Sequence, residues 1–154
     1  MEHEEVSVTI AAPAERLYDL ISDLPRMGEW SPENCGGKWV KGATGPVVGA
    51  RFRGHNRKGW RRWTTLVTVA IAEPAKEFAF DVTGGPWKVA RWGYRFAPTE
   101  GATVVTEYWD DHRSVLIAKI TSLLVGVADR PEYNRRGMEE TLQRLAAFAE
   151  SRAA

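Results

Sequence analysis

Only one cysteine, Cys35, occurs in 154 residues, so no intramolecular disulfide and no thiolate-rich metal cluster can be built. Histidine is nearly as scarce: His3, His55 and His112 lie far apart with no metal-ligand spacing, and no metal is expected. Net charge is close to absent. The 21 Lys and Arg balance 20 Asp and Glu to a formal +1, which gives the molecule as a whole no strong pull on nucleic acid or anionic membrane. No apolar run reaches membrane-spanning length. The richest segment, from Val115 to Val127, is broken by Lys119, Thr121 and Ser122, so no stable membrane insertion is expected. The opening MEHEEVSVTI is acidic and lacks a basic-then-apolar leader, and a cytoplasmic location is the expectation. Repeats, low-complexity tracts and linkers are missing too, as in a single domain spanning 1–154. Catalytic constellations are equally thin. Ser31 has no His and Asp nearby and no nucleophile elbow, and neither Gly36-Gly37 nor Gly84-Gly85-Pro86 opens a phosphate-binding loop into a helix. Cys35, beside two glycines, reads as a small residue at a strand start.

Large aromatics are abundant: seven Trp, five Phe and four Tyr. Each can bury about 150–250 Å², in a compact core or around a wide internal pocket. The hydrophobic periodicity places them on elements. Val6–Ile10 alternates as a strand. A helix opens at Ala12-Pro13-Ala14-Glu15 and buries Leu17, Leu20, Ile21 and Leu24, and a second short helix is expected over Leu24–Glu29. Strands are expected near Gly37–Lys41, Ala50–Asn56, Trp60–Ala72, Glu77–Val82, Lys88–Ala97 and Ala102–Asp110, joined by short Gly-, Pro- and Asn-rich turns as an antiparallel meander. The last third is helical. Asp129 caps a long helix with Glu132 at its third position, Met138, Leu142, Leu145 and Ala149 form one stripe, and the helix runs to about Arg152.

The stretch RFRGHNRKGWRRW, residues 51–63, has two readings: a nucleic-acid patch, or two strands with solvated charges. A turn at Asn56–Gly59 with an even loop sets Phe52 beside Trp63 inside and Arg53 beside Arg62 outside, because a one-residue slip would bury the arginines. The charges then form a solvated face of the 51–62 hairpin, and with a balanced whole-chain charge no nucleic acid is expected. Trp60 is left outside.

The order strand, two short helices, six antiparallel strands and a long C-terminal helix resembles the helix-grip fold of the START-like or SRPBCC superfamily, most of all its polyketide cyclase/dehydrase and lipid-transport branch. The residues that carry the resemblance are Ile10-Ala11-Ala12-Pro13-Ala14-Glu15-Arg16-Leu17-Tyr18-Asp19-Leu20-Ile21-Ser22-Asp23, Gly28-Glu29-Trp30-Ser31-Pro32-Glu33, the Phe52, Asn56 and Trp63 pattern, Gly93-Tyr94-Arg95-Phe96, Val105-Thr106-Glu107, and Asn134-Arg135-Arg136-Gly137-Met138-Glu139-Glu140-Thr141-Leu142. The resemblance implies an α+β fold: a curved seven-stranded antiparallel sheet wrapped round the C-terminal helix. Between them it implies a cavity for a hydrophobic small molecule such as a lipid, polyketide or aromatic compound. Members of the family bind and carry such compounds, or act on them as cyclases or dehydratases. No cofactor is implied, and the protein is a monomer or a homodimer. The segment Arg113–Ala128 exceeds a minimal connection, and an extra helix over the pocket mouth is expected there.

Strand parity nominates Phe52, Asn56, Trp63, Thr65, Val67, Phe78, Phe80, Trp92, Tyr94 and Phe96 for the cavity, with Met138, Thr141, Leu142 and Leu145 from the helix and Trp30 and Trp39 near the short helices. Arg91 and Arg95 should face out. Glu107 is the candidate catalytic residue, and two facings stay open. Inward, burial raises its pKa and it can serve as a general base or hold a ligand hydroxyl; outward, it pairs with a surface arginine. Gly137, inside a helix, needs a packing reason.

Overall fold

A computed structural model describes residues 2–127 and 129–151. Strand β1 (His3–Ile10) leads into α1 (Ala14–Ser22), which buries Leu17, Leu20 and Ile21, and then into a 3₁₀ helix (Leu24–Glu29). The meander follows: β2 (Asn34–Val40), β3 (Arg51–Lys58), β4 (Arg61–Glu73), β5 (Glu77–Gly84), β6 (Trp87–Thr99) and β7 (Ala102–Asp111). Then come α2 (Val115–Val125) and α3 (Arg130–Ser151). The expected last helical residue, Arg152, lies outside the described residues.

All seven strands join one antiparallel sheet in the order β1-β7-β6-β5-β4-β3-β2. Six successive strands are neighbours because their connections are short, while β1 crosses to the far edge and pairs with β7, Val6 opposite Glu107. The sheet grips α3, which packs on β1 and β7 through Met138, Leu142, Leu145 and Ala149, all buried. Asp129 caps α3 as expected, its Oδ1 accepting the Glu132 amide at 3.1 Å. α1 seals one end of the grip, where the Tyr18 ring meets Phe78 and Phe96 edge-on at 6.0 and 5.8 Å.

The basic hairpin keeps its expected faces but not its expected partners. Phe52, Gly54 and Asn56 point inward, and Arg51, Arg53 and His55 outward. However, Phe52 lies opposite Val67, and Trp63 opposite Asn56. The strands run two residues further into the turn than Asn56 suggests and close on Gly59-Trp60, where Gly59 takes φ +60°. The loop is still even in length, so parity survives the shift. Arg91 and Arg95 also face out, where Arg91 clasps Asp81 with two bonds of 2.7 and 3.0 Å and Arg95 meets Glu5 at 2.7 Å.

Candidate functional site

Between the sheet, the 3₁₀ helix, α2 and the first half of α3 lies a cavity of about 330 Å³. Of the residues nominated by parity, Phe52, Asn56, Trp63, Thr65, Val67, Phe80, Trp92, Tyr94 and Thr141 line it, and so does Glu107. The other nominees pack elsewhere. Phe78 and Phe96 hold α1, Trp39 lies against the Phe52 ring at 5.3 Å, and Trp30 meets Phe148 of α3 at 5.1 Å. Met138, Leu142 and Leu145 are buried in the contact of α3 with the sheet and do not reach the cavity wall.

The division within α3 follows from helical spacing. Its apolar stripe is taken up by the sheet, whereas Arg130, Asn134, Gly137 and Thr141, at i, i+4, i+7 and i+11, form the neighbouring stripe that faces the cavity. Gly137 thus has its packing reason: it opens space, and a Cβ there would meet only Pro32 Cγ at 3.8 Å. Of these positions, Thr141 is nominated from sequence and Gly137 is singled out there; Arg130 and Asn134 are missed, and a stripe of small and polar residues beside the apolar one is the signal that could have found them. Trp109 escaped notice although it shares parity with Glu107; it lies on the wall with Trp92, ring centroids 6.3 Å apart.

Glu107 faces inward. It is buried, and its Oε1 accepts a hydrogen bond from the Tyr94 hydroxyl at 2.8 Å. Its Oε2 has no hydrogen-bond partner among the described residues. Burial pushes the carboxyl up to about 8, against the opposing influence of the Tyr94 hydrogen bond. Tyr94 is itself raised, by burial first and by Glu107 second, and stays a phenol. At neutral pH the pair is therefore mostly uncharged: Tyr94 donates to one oxygen, and the other carries a proton with no acceptor in the wall.

A second polar group sits on the part of the wall built by β2, β3 and β4. Asn34 Nδ2 donates to Asn56 Oδ1 at 3.3 Å, and Asn56 Nδ2 donates to Thr65 Oγ1 at 3.1 Å. On α3 the buried Asn134 Nδ2 has no hydrogen-bond partner among the described residues, although Asn134 lines the cavity. Arg130 pairs with Glu33 at 2.9 Å, both largely buried. Most of the remaining wall is apolar, built from rings and from Leu24, Met27 and Val82, with Ser31, Thr64, Thr83 and Tyr133 among its polar members.

The long connection does hold an extra helix, α2, and it forms part of the cavity wall; Ala128 lies outside the described residues. Thr121, Ser122 and Val125 line the cavity. Arg113 fastens the helix to β7, with Nη2 to Asp111 Oδ2 and Nη1 to Thr121 Oγ1, each at 2.8 Å. At its other end Lys58 Nζ donates to the Gly126 carbonyl at 2.6 Å. Among the described residues no group of three His, Cys, Asp or Glu is placed to hold a metal ion.

The family described as polyketide cyclase / dehydrase and lipid transport matches residues 1–150. Among solved structures, the polyketide-cyclase-like protein Cgl2372 of Corynebacterium glutamicum is similar at 35% identity and a TM-score of 0.66, over 96% of this chain and 91% of that one. The di-domain ARO/CYC protein StfQ from the steffimycin biosynthetic pathway shares the fold at 18% identity and a TM-score of 0.75, over 98% of this chain and 51% of StfQ. The Aha1 dimer of Colwellia psychrerythraea shares it at 14% identity and a TM-score of 0.69, over the whole of both chains. No curated protein matches the chain.

Proposed function

Because the chain belongs to the polyketide cyclase/dehydrase and lipid transport family, we propose that its cavity binds a mainly apolar small molecule, such as a lipid, polyketide or aromatic compound, that carries a few oxygen functions. The observation that supports this most is the composition of the wall: mainly aromatic and aliphatic side chains, with polar groups set among them, foremost Glu107 with Tyr94, the Asn34–Asn56–Thr65 chain and Asn134. Two of these groups, Glu107 Oε2 and Asn134 Nδ2, have donor capacity that no described residue takes up. A carbonyl or hydroxyl oxygen on the ligand would satisfy each, which confers selectivity over a plain hydrocarbon. Burying about 300 Å² of apolar ligand surface contributes about 7 kcal/mol before association costs, enough for micromolar binding.

The binding test is tryptophan emission, since Trp63, Trp92 and Trp109 stand in the wall. Titration with a panel of oxygenated lipids and polycyclic aromatics should quench or shift it with micromolar midpoints. Substituting Gly137→Phe, which pushes a ring into the cavity, should abolish the response. A protein that responds to no member of the panel would sink the proposal.

One observation favours a catalytic reading of the same cavity, a cyclase or dehydratase acting on a polyketide-like substrate. A carboxyl with a pKa of about 8 has both its acid and its base form accessible near neutrality. The acid form can protonate a departing hydroxyl, and the base form can remove a proton beside a carbonyl, with the phenol of Tyr94 adjacent to hold the carboxyl in place. Turnover lost in Glu107→Gln with binding retained supports catalysis; equal turnover in the two proteins rejects it.

A further inference from the structure

Helix α2, which lines the cavity with one face, has its apolar side on the wrong face for a core element. Leu116, Ile120, Leu123 and Leu124, at i, i+4, i+7 and i+8, form one stripe, and Leu123 is 80% and Leu124 70% exposed. Thr121, Ser122 and Val125, on the opposite side, face the cavity, and no residue of α2 is buried. A soluble protein gains nothing by showing such a stripe to water.

Two tryptophans widen the patch. Trp60, 82% exposed, stands at the β3–β4 turn beneath the Arg61 guanidinium, 4.7 Å from its ring centroid. That guanidinium packs against Gly126 at the end of α2, where any Cβ would overlap it. Trp87, 62% exposed, starts β6 opposite Gly84, itself part of the cavity wall. Charge surrounds these apolar groups with one sign. Residues 57–62, 84–88 and 115–125 contain Arg57, Lys58, Arg61, Arg62, Lys88 and Lys119 and no Asp or Glu. The acids of adjoining segments are already paired: Asp129 caps α3, Glu132 pairs with Arg136, Asp111 with Arg113, and Asp81 binds Arg91 and, at 3.2 Å, Lys88, so of the rim's cations Lys88 alone is ion-paired to one of them.

We propose that this rim is a peripheral docking surface for an anionic lipid bilayer, with α2 lying in the headgroup plane and the cavity mouth turned toward the membrane. The chemistry favours a lipid surface over a second copy of the chain. A two-fold contact would set the cations of each copy against those of the other. A bilayer accepts the leucine stripe below its headgroups, the tryptophans at their level and the cations among their phosphates. Eleven residues cannot cross a bilayer, and no helix among the described residues is long and apolar enough to do so, so the attachment is reversible.

The test is flotation with vesicles of phosphatidylcholine containing about 30 mol% phosphatidylglycerol, against phosphatidylcholine alone. The protein should bind the anionic vesicles preferentially, and less as salt rises. Binding should weaken at least about tenfold in Leu123→Glu/Leu124→Glu and, separately, in Arg57→Glu/Arg62→Glu, with unchanged melting temperatures because all four side chains are exposed. Emission should shift to the blue on vesicle addition in the parent and less in Trp60→Ala. Failure to bind, equal binding to both vesicles, or indifference to the leucine substitutions overturns the proposal. So does a dimer that Leu123→Glu/Leu124→Glu dissociates, or preference for an oligonucleotide over vesicles. Titration of the same variants with apolar probes reads the cavity separately, so failure at the membrane and failure of the ligand reading are distinguishable.

Discussion

Ionising Glu107 would strand a charge on an oxygen with no donor, and the pH dependence of stability should report it. Below about pH 4.5 the carboxyl is protonated in both folded and unfolded chains. Between 4.5 and about 8 the unfolded chain loses the proton and the folded one keeps it, so stability falls through that window and levels off above it. Relative to Glu107→Gln, the parent should lose roughly 3–5 kcal/mol between pH 4.5 and 8, measured by urea unfolding across that range. A curve parallel to that of the variant would mean an ordinary, hydrated carboxyl. The facing of Glu107 was not legible in the sequence, and its neighbour shows why. Tyr108 points to the outer face, yet it is buried, because its ring lies over the bare backbone of Gly93 opposite and its hydroxyl donates to Glu77 at 2.7 Å. Both faces of β7 therefore carry large, covered side chains, and the period-two contrast that reveals inside and outside is erased. A Cβ at Gly93 would overlap that ring, so Gly93→Ala should cost roughly 1–3 kcal/mol by thermal or urea denaturation.

Elements with one dry face and one wet face were legible; elements facing a cavity were only half so. β3 shows its parity plainly, Phe52 and Asn56 against Arg53 and His55, and the structure keeps it even though the turn moves. α3 reads from sequence as a single apolar stripe, because Met138, Leu142, Leu145 and Ala149 carry the hydrophobic signal. That stripe meets the sheet, while the stripe facing the cavity is written in Asn134, Gly137 and Thr141, residue types that mimic a solvated face. Gly137 shows the trade: Gly137→Ala should stabilise the helix by roughly 0.5–1 kcal/mol in urea, since the space beside it is open. α2 makes the complementary case. Its leucines recur at helical spacing like a packed face, but the fold holds it by polar bonds and leaves them in solvent. Thr121→Val removes the bond from Arg113 and should speed amide exchange within α2 about fivefold, near 1 kcal/mol for one hydrogen bond, while β7 exchanges as before.

At the scale of the molecule, seven strands and a C-terminal helix follow from the spacing of turns and apolar residues, but the empty space between them does not. Cavities leave no periodic mark of their own; the abundance of large aromatics, which a compact core or a pocket could equally use, was only an indirect sign. A ligand that fills the space and ignores the unfolded chain should raise stability by about 2.7 kcal/mol at a hundredfold excess over its Kd, visible as a higher Tm. The topology has a further effect, on the order of assembly. β2 to β7 can zip neighbour to neighbour as they are made, but β1 has no mate until Ala102–Asp111 exists, and α3 cannot seat without β1. The opening strand must therefore wait, unpaired, for nearly the whole chain to emerge. Its acidic residues Glu4 and Glu5, with Glu2 just before it, suit that interval, because like charges discourage two waiting strands from adopting each other.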